Sequence, residues 1–186
     1  MGRRAPPGAG AEERAALARD YRACYGREGW NNNSVFPGVR DMLTALRQRG
    51  FPLFVCTSKF EPFAVRILET FELAPLFTAV YGDRPEYASH SKVDLLAHIL
   101  RERSLGADFA PASARDAVWM VGDRVYDFEA ARANRIPSIA AAWGYGAPQE
   151  WDQADAVAAT PAAVLDLMAL HFPAPELASR QRIALA

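Results

Sequence analysis

The chain has 186 residues, 51% of them hydrophobic and 23% charged, with a formal net charge of −1. Such a length fits one domain, or one plus a fragment, and buries enough surface for a core without disulfide or metal staples. The composition excludes collagenous and disordered classes, no apolar run reaches the ~18 residues of a membrane span, and the near-zero charge argues against a general nucleic-acid surface. Two cysteines, Cys24 and Cys56, are too few for a disulfide framework. The leader MGRRAPPGAG has no apolar stretch after its twin arginine. The expectation is therefore a soluble cytoplasmic protein with no membrane and no nucleic-acid partner.

In chain order, residues 1–10 read as a disordered leader and 11–26 as an amphipathic helix. A loop over 29–38 precedes a helix over 38–48 that stops at Gly50. FPLFVCT, residues 51–57, is short and almost wholly apolar, which suits a strand buried on both faces. A helix over 61–72, with Pro62 in its first turn, leads to a short strand at 78–81. A helix over 92–103 follows, then a Gly/Pro/Ser linker and a buried strand at 117–121. A helix at 126–134, a strand at 137–142 and a weak strand at 154–158 come next. Thr160-Pro161 caps a last helix to about Leu170, and the Pro-punctuated tail from Phe172 reads as loose. Strands alternating with helices predict an α/β fold, a parallel sheet with helices on both faces. In such sheets ligands bind beyond the carboxyl ends of the strands.

Those strand ends carry polar groups suited to phosphate chemistry. Thr57-Ser58-Lys59 follows the strand at 51–57, where a hydroxyl and open backbone N–H groups make a phosphate contact. Lys92 stands out twice. It is one of two lysines beside 19 arginines, and it follows Ser91, which with Asp94 reads as a helix cap. At the first helical position its charge opposes the helix dipole, a local violation expected where function demands it. Gly122-Asp123-Arg124-Val125-Tyr126-Asp127 follows the strand at 117–121. One or two carboxylates at such a point are what Mg²⁺ takes, although a turn at Asp123 and a helix cap at Asp127 would explain the same residues structurally. A hydroxyl, a lysine and two carboxylates on one sheet edge are equipment for phosphoryl transfer.

VFPGVRDMLTALRQRG, FPLFVCTSKFEPFAVRILETFEL, the helix opening at Ser91-Lys92 and VWMVGDRVYDFEAARANRIPSIAAAWGYG occur in an order and spacing that resembles the haloacid dehalogenase superfamily, in its phosphoglycolate phosphatase and 5′-nucleotidase-like branch. The resemblance covers roughly residues 20–160. It implies a Rossmann-like core at 36–171, with 11–35 a remnant of the helical cap and 172–186 a loose tail. It implies a Mg²⁺-dependent phosphatase acting on a small phosphorylated metabolite, such as phosphoglycolate or a nucleoside monophosphate. Thr57 and the Ser58 N–H would then hold phosphate, Lys92 would steady phosphate and nucleophile, and Asp123 would ligate Mg²⁺, with Asp127 supporting the metal directly or through water.

The family's first motif, an apolar strand ending in Asp-x-Asp-Gly-Thr, supplies the nucleophile and the acid/base. No Asp-x-Asp occurs in this sequence. The expectation is a chain with little or no phosphatase activity as written, from a reading frame begun downstream of the first strand or from a pseudoenzyme acting as a phosphate-, Mg²⁺- or protein-binding module. Loss of that central strand is also expected to leave two inner sheet edges unpaired. Other arrangements fit less well. A receiver domain has its Asp residues before Thr and Lys; Cys-x₅-Arg is absent; and Gly144-Tyr145-Gly146 does not extend to a dinucleotide fingerprint. His90, His98 and His171 lack metal-ligand spacing and read as surface or structural, while Trp143 and Tyr145 are placed to edge a site.

Overall fold

A computed structural model describes residues 33–87, 89–105, 118–171 and 183–185, together with 10, 12–13, 16–17, 19–20 and 26. The chain divides into two compact units, Met1–Ser34 and Val35–Ala186. In the first unit the described residues between 12 and 26 are helical, with Ala16 and Leu17 half-buried and Glu12, Glu13, Arg19 and Asp20 exposed. The first nine residues of the expected leader lie outside the described set.

The second unit alternates helix and strand as its patterning predicts. In chain order these are α1 (Val39–Gln48), β1 (Leu53–Phe60), α2 (Glu61–Thr70), β2 (Ala79–Asp83), α3 (Lys92–Glu102), β3 (Val118–Gly122) and α4 (Val125–Ala133). Then follow β4 (Ser138–Ala141), the single turn α5 (Pro148–Trp151), β5 (Ala156–Ala158), α6 (Pro161–His171) and β6 (Ile183–Leu185). The six strands form one sheet in the order β2-β1-β6-β3-β4-β5, and every pair is parallel. Side chains alternate between its faces with the period of two that a pleated strand imposes. Leu53, Trp119, Val121 and Ile139 pack with Met42, Leu43 and Leu46 of α1 and with Val164 and Met168 of α6. Phe54, Cys56, Val118 and Met120 pack on the other side with Leu95, Leu96 and Ile99 of α3 and Ala130 and Ala131 of α4. This is the predicted α/β sheet covered on both faces. Among the described residues no helix is long and apolar enough to cross a membrane.

Three expectations are corrected. The tail is not loose throughout, because Ile183–Leu185 forms β6; residues 172–182 and 186 lie outside the described set. Nor are the inner edges bare along their whole length. Ala184 and Leu185 pair with Leu53 and Phe54 of β1, while Ile183, Ala184 and Leu185 pair with Val118, Trp119 and Met120 of β3. A buried backbone group without a partner costs about 1–3 kcal/mol, so even a three-residue apolar strand is drawn into such a gap. Finally, β1 does not stop at Thr57 but runs to Phe60. Its register with β2 slips between Cys56↔Tyr81 and Phe60↔Asp83, so Thr57, Ser58 and Lys59 bulge opposite Gly82 alone. Bulges re-aim side chains beside functional sites, and this one lifts Thr57 and Ser58 at the carboxyl end of the sheet.

Candidate functional site

A cavity of about 440 Å³ opens at the carboxyl ends of β1 and β3. Its inner wall is apolar, with Val55, Cys56, Met120, Val121 and Leu43 among its residues, and its polar groups are Thr57, Lys92, Asp123 and Asp127. Four of the five site residues expected from the sequence thus share one cavity. The fifth, Ser58, lines an adjoining cleft with Thr57, His90, Ser91 and Lys92.

Local sequence explains each placement. Ser91 caps α3, its hydroxyl accepting the Asp94 N–H at 3.1 Å, so Lys92 falls at the first helical position as predicted. Its Nζ donates to Asp127 Oδ1. The helix dipole opposes this charge by about 0.3–1 kcal/mol. A buried carboxylate partner outweighs that, since breaking such a pair costs about 3–5 kcal/mol. Asp127 is only 3% exposed and stands at the third position of α4, not at the cap. Its Oδ2 accepts the backbone N–H groups of Asp123 and Arg124, both at 3.0 Å. Asp127 therefore has both carboxylate oxygens engaged, holding Lys92 on one side and the turn after β3 on the other.

Asp123 is partly exposed, and its Oδ2 accepts the Tyr145 N–H at 2.7 Å. Its Oδ1 accepts no hydrogen bond among the described residues. Of the two carboxylates expected at a metal, Asp123 thus leaves one oxygen open, and Asp127 is engaged at both. Thr57 Oγ1 accepts the Lys59 N–H at 3.2 Å, which closes the bulge and fixes the hydroxyl at the rim. Cys56 is buried below it, and burial pushes its thiol up to about 11, so it stays protonated and unreactive at neutral pH. Among the described residues no three His, Cys, Asp or Glu side chains group as a metal cluster. A hard cation that keeps most of its water and binds through one or two carboxylates fits Asp123 better than a protein-caged metal would.

Some contributing residues lie outside the sequence expectation. A Cβ on Gly146 would stand 1.7 Å from the Asp123 carbonyl oxygen, and one on Gly122 would stand 2.3 Å from Asp127 Oδ2. Both glycines are needed because the two aspartates fold back over them. The Gly-Tyr-Gly spacing after β4 is the available signal, and it does not extend to a dinucleotide fingerprint. Glu150 has no sequence signature. Its Oε2 accepts the Val125 N–H at 2.8 Å and the Arg124 Nε–H at 3.2 Å, and its Oε1 accepts the Ala147 N–H at 3.2 Å. Those N–H groups hold its carboxyl below the ordinary glutamate range, with Arg124 adding to the effect. Trp143 and Tyr145 do edge the cavity, where Tyr145 meets the Phe36 ring at 5.6 Å. His98 bonds Glu102, His171 packs on Trp119, and His90 contacts Asp83 beside the adjoining cleft.

A family model described as haloacid dehalogenase-like hydrolase matches residues 4–134. The chain belongs to the haloacid dehalogenase-like hydrolases. It is 40% identical over 146 residues to a protein of Mycobacterium tuberculosis named tyrosine-protein kinase PtkA, covering 78% of this chain and 47% of that one. It is 32% identical over 130 residues to a 5′-nucleotidase of Pseudomonas aeruginosa, covering 70% and 55%. It is 29% identical over 136 residues to phosphoglycolate phosphatase of Escherichia coli, covering 73% and 51%. The chain spans about half the length of these curated relatives. The crystal structure of a predicted phosphatase from Clostridium acetobutylicum superposes with a TM-score of 0.72 at 31% identity, covering 88% of this chain and 73% of that one.

Proposed function

We propose that this chain carries the phosphate-binding and Mg²⁺-binding part of a phosphatase site for a small phosphomonoester. The observation that supports the reading is one cavity at the carboxyl ends of β1 and β3 that gathers Thr57, Lys92, Asp123 and Asp127. The names of the 5′-nucleotidase and phosphoglycolate phosphatase relatives suggest a nucleoside monophosphate or phosphoglycolate as substrate. Thr57 and the bulge N–H groups would bind the phosphoryl oxygens. Lys92 would neutralise them, held by Asp127 so that it cannot swing into solvent. Asp123 would hold the Mg²⁺, which when bound offsets charge on the phosphoryl group. Among the described residues that line the cavity, Asp123 and Asp127 are the carboxylates, and both are engaged in holding the turn after β3 or its neighbours. Little or no phosphate release by the 186-residue chain alone is the expected outcome.

Calorimetric titration with phosphoglycolate and with adenosine monophosphate tests the binding half. Saturable binding in Mg²⁺ that vanishes in EDTA and in Asp123→Asn is expected. Equal binding with and without Mg²⁺ would overturn the reading. The relative named as a tyrosine kinase supports a second substrate class, a tyrosine hydroxyl with ATP as donor. Labelled phosphate appearing on a tyrosine peptide would favour it.

A further inference from the structure

Tyr145 is 83% exposed, the most exposed of the large hydrophobic side chains among the described residues. A single exposed tyrosine is ordinary on a protein surface. This one sits on a tied backbone beside the site. Its N–H donates to Asp123 Oδ2 at 2.7 Å, and the Gly144 N–H before it donates to the Ala141 carbonyl at 3.0 Å. Gly146 after it lies against the Asp123 carbonyl. Among the described residues the Tyr145 hydroxyl makes no hydrogen bond. Its ring meets that of Phe36 at 5.6 Å with a tilt of 58°, so Phe36 braces part of it and most of its surface stays open. Both rings line the cavity that holds Thr57, Lys92 and Asp123. An aromatic surface on a fixed backbone is preorganised to stack, because little conformational freedom is lost when a ligand covers it.

Charge narrows what this rim can receive. Among the described residues lining the cavity, Lys92 is the one cationic side chain, and it is engaged with Asp127. Asp123 and Asp127 bring two negative charges to the same lining. The arginines nearest to Phe36 and Asp123 in sequence are engaged elsewhere. Arg40 donates to the Glu72 carbonyl at 3.1 Å, and Arg124 donates to Glu150 at 3.2 Å. The lining drawn from residues 36–43 and 141–145 is apolar or aromatic, with Phe36, Val39, Met42 and Trp143 among it. A second carboxylate on the substrate, as in phosphoglycolate, would lose its water there with no cation to meet it. An uncharged ring loses nothing of that kind and gains the face of Tyr145.

We propose that the rim formed by Tyr145 and Phe36 is a subsite for an uncharged planar ring on the phosphomonoester, so that this chain selects aromatic phosphomonoesters over acidic ones. The proposal rests on the reading above and narrows it. Of the two substrates suggested there, the nucleoside monophosphate fits the rim and phosphoglycolate does not. A nucleobase and a phenol present the same aromatic face, and the ligands of the test separate them.

Calorimetry on the full chain in Mg²⁺ compares adenosine monophosphate, phenyl phosphate, ribose 5-phosphate, phosphoglycolate, inorganic phosphate and free adenosine. Adenosine monophosphate is expected to bind about tenfold more tightly than ribose 5-phosphate, which keeps sugar and phosphate but lacks the ring. Phosphoglycolate is expected to bind no better than inorganic phosphate. Tyr145→Leu should bring the affinity ratio of adenosine monophosphate to ribose 5-phosphate to about one, whereas Tyr145→Phe should preserve it. The ratio is read within each variant, so a general change at Asp123 cancels. Phenyl phosphate matching adenosine monophosphate would assign the rim to any aryl ring; phenyl phosphate no better than ribose 5-phosphate would assign it to the nucleobase. Three results would overturn the subsite: adenosine monophosphate no tighter than ribose 5-phosphate, a ratio unmoved by Tyr145→Leu, or phosphoglycolate as the tightest ligand. Adenosine binding that Tyr145→Leu abolishes, without binding of inorganic phosphate, would keep the subsite and overturn the phosphate reading. Binding of none of the six would overturn both.

Discussion

Lys92 and Asp127 join two halves of the site: the lysine opens α3, the aspartate lies in the first turn of α4, and each is largely removed from water. Removing one partner strands the other. Asp127→Asn is expected to lower unfolding free energy by about 3 kcal/mol in urea denaturation. The double variant Lys92→Met with Asp127→Leu should lose less than the two single losses combined, because no unpaired charge remains. Glu150 gives a pH-dependent counterpart. Its folded pKa lies below its ordinary value of 4.5, so the stability it adds is complete above that value and fades as pH falls through the lower folded one. Wild-type protein should thus be more stable than Glu150→Gln at pH 7, and the two urea midpoints should converge as pH falls below 4.5. At this scale the sequence is most legible at Lys92, a rare lysine where a helix would prefer an acid. It is least legible at Glu150, whose partners are backbone N–H groups that any residue possesses.

At the scale of elements, the strand-to-helix turns set the geometry. The turn after β3 and the Gly-Tyr-Gly turn after β4 interlock, Tyr145 donating to Asp123 while Gly146 lies under its carbonyl. Gly146→Ala would drive a methyl into that carbonyl. The expected result is a loss of about 1–3 kcal/mol in urea denaturation and weakened Mg²⁺-dependent ligand binding, since Asp123 must shift. The apolar runs of β1 and β3 show these strands plainly in the sequence, because both faces are buried. The bulge at Thr57–Lys59 is hidden, since it arises from a register slip that depends on β2. β6 is hidden for a related reason. Three small and aliphatic residues carry no period of their own, and they become a strand because two neighbours leave backbone groups to satisfy.

At the scale of the molecule, the sheet is closed below and open above. β6 joins β1 to β3 at its base, and the carboxyl ends of those strands frame a cavity lined by Thr57, Lys92, Asp123 and Asp127. Alternation of helix and strand makes the layered fold readable, and the rule that ligands sit at carboxyl strand ends makes the site readable. The strand between β1 and β3 is not readable, because it forms from residues 183–185, far in sequence from both of its neighbours. The most direct test of the account is amide chemical-shift mapping of the full chain titrated with inorganic phosphate in Mg²⁺. The account predicts shifts concentrated at Thr57, Ser58, Lys59, Lys92 and Asp123 that disappear when EDTA is added. Shifts spread elsewhere, or unchanged by EDTA, would contradict it.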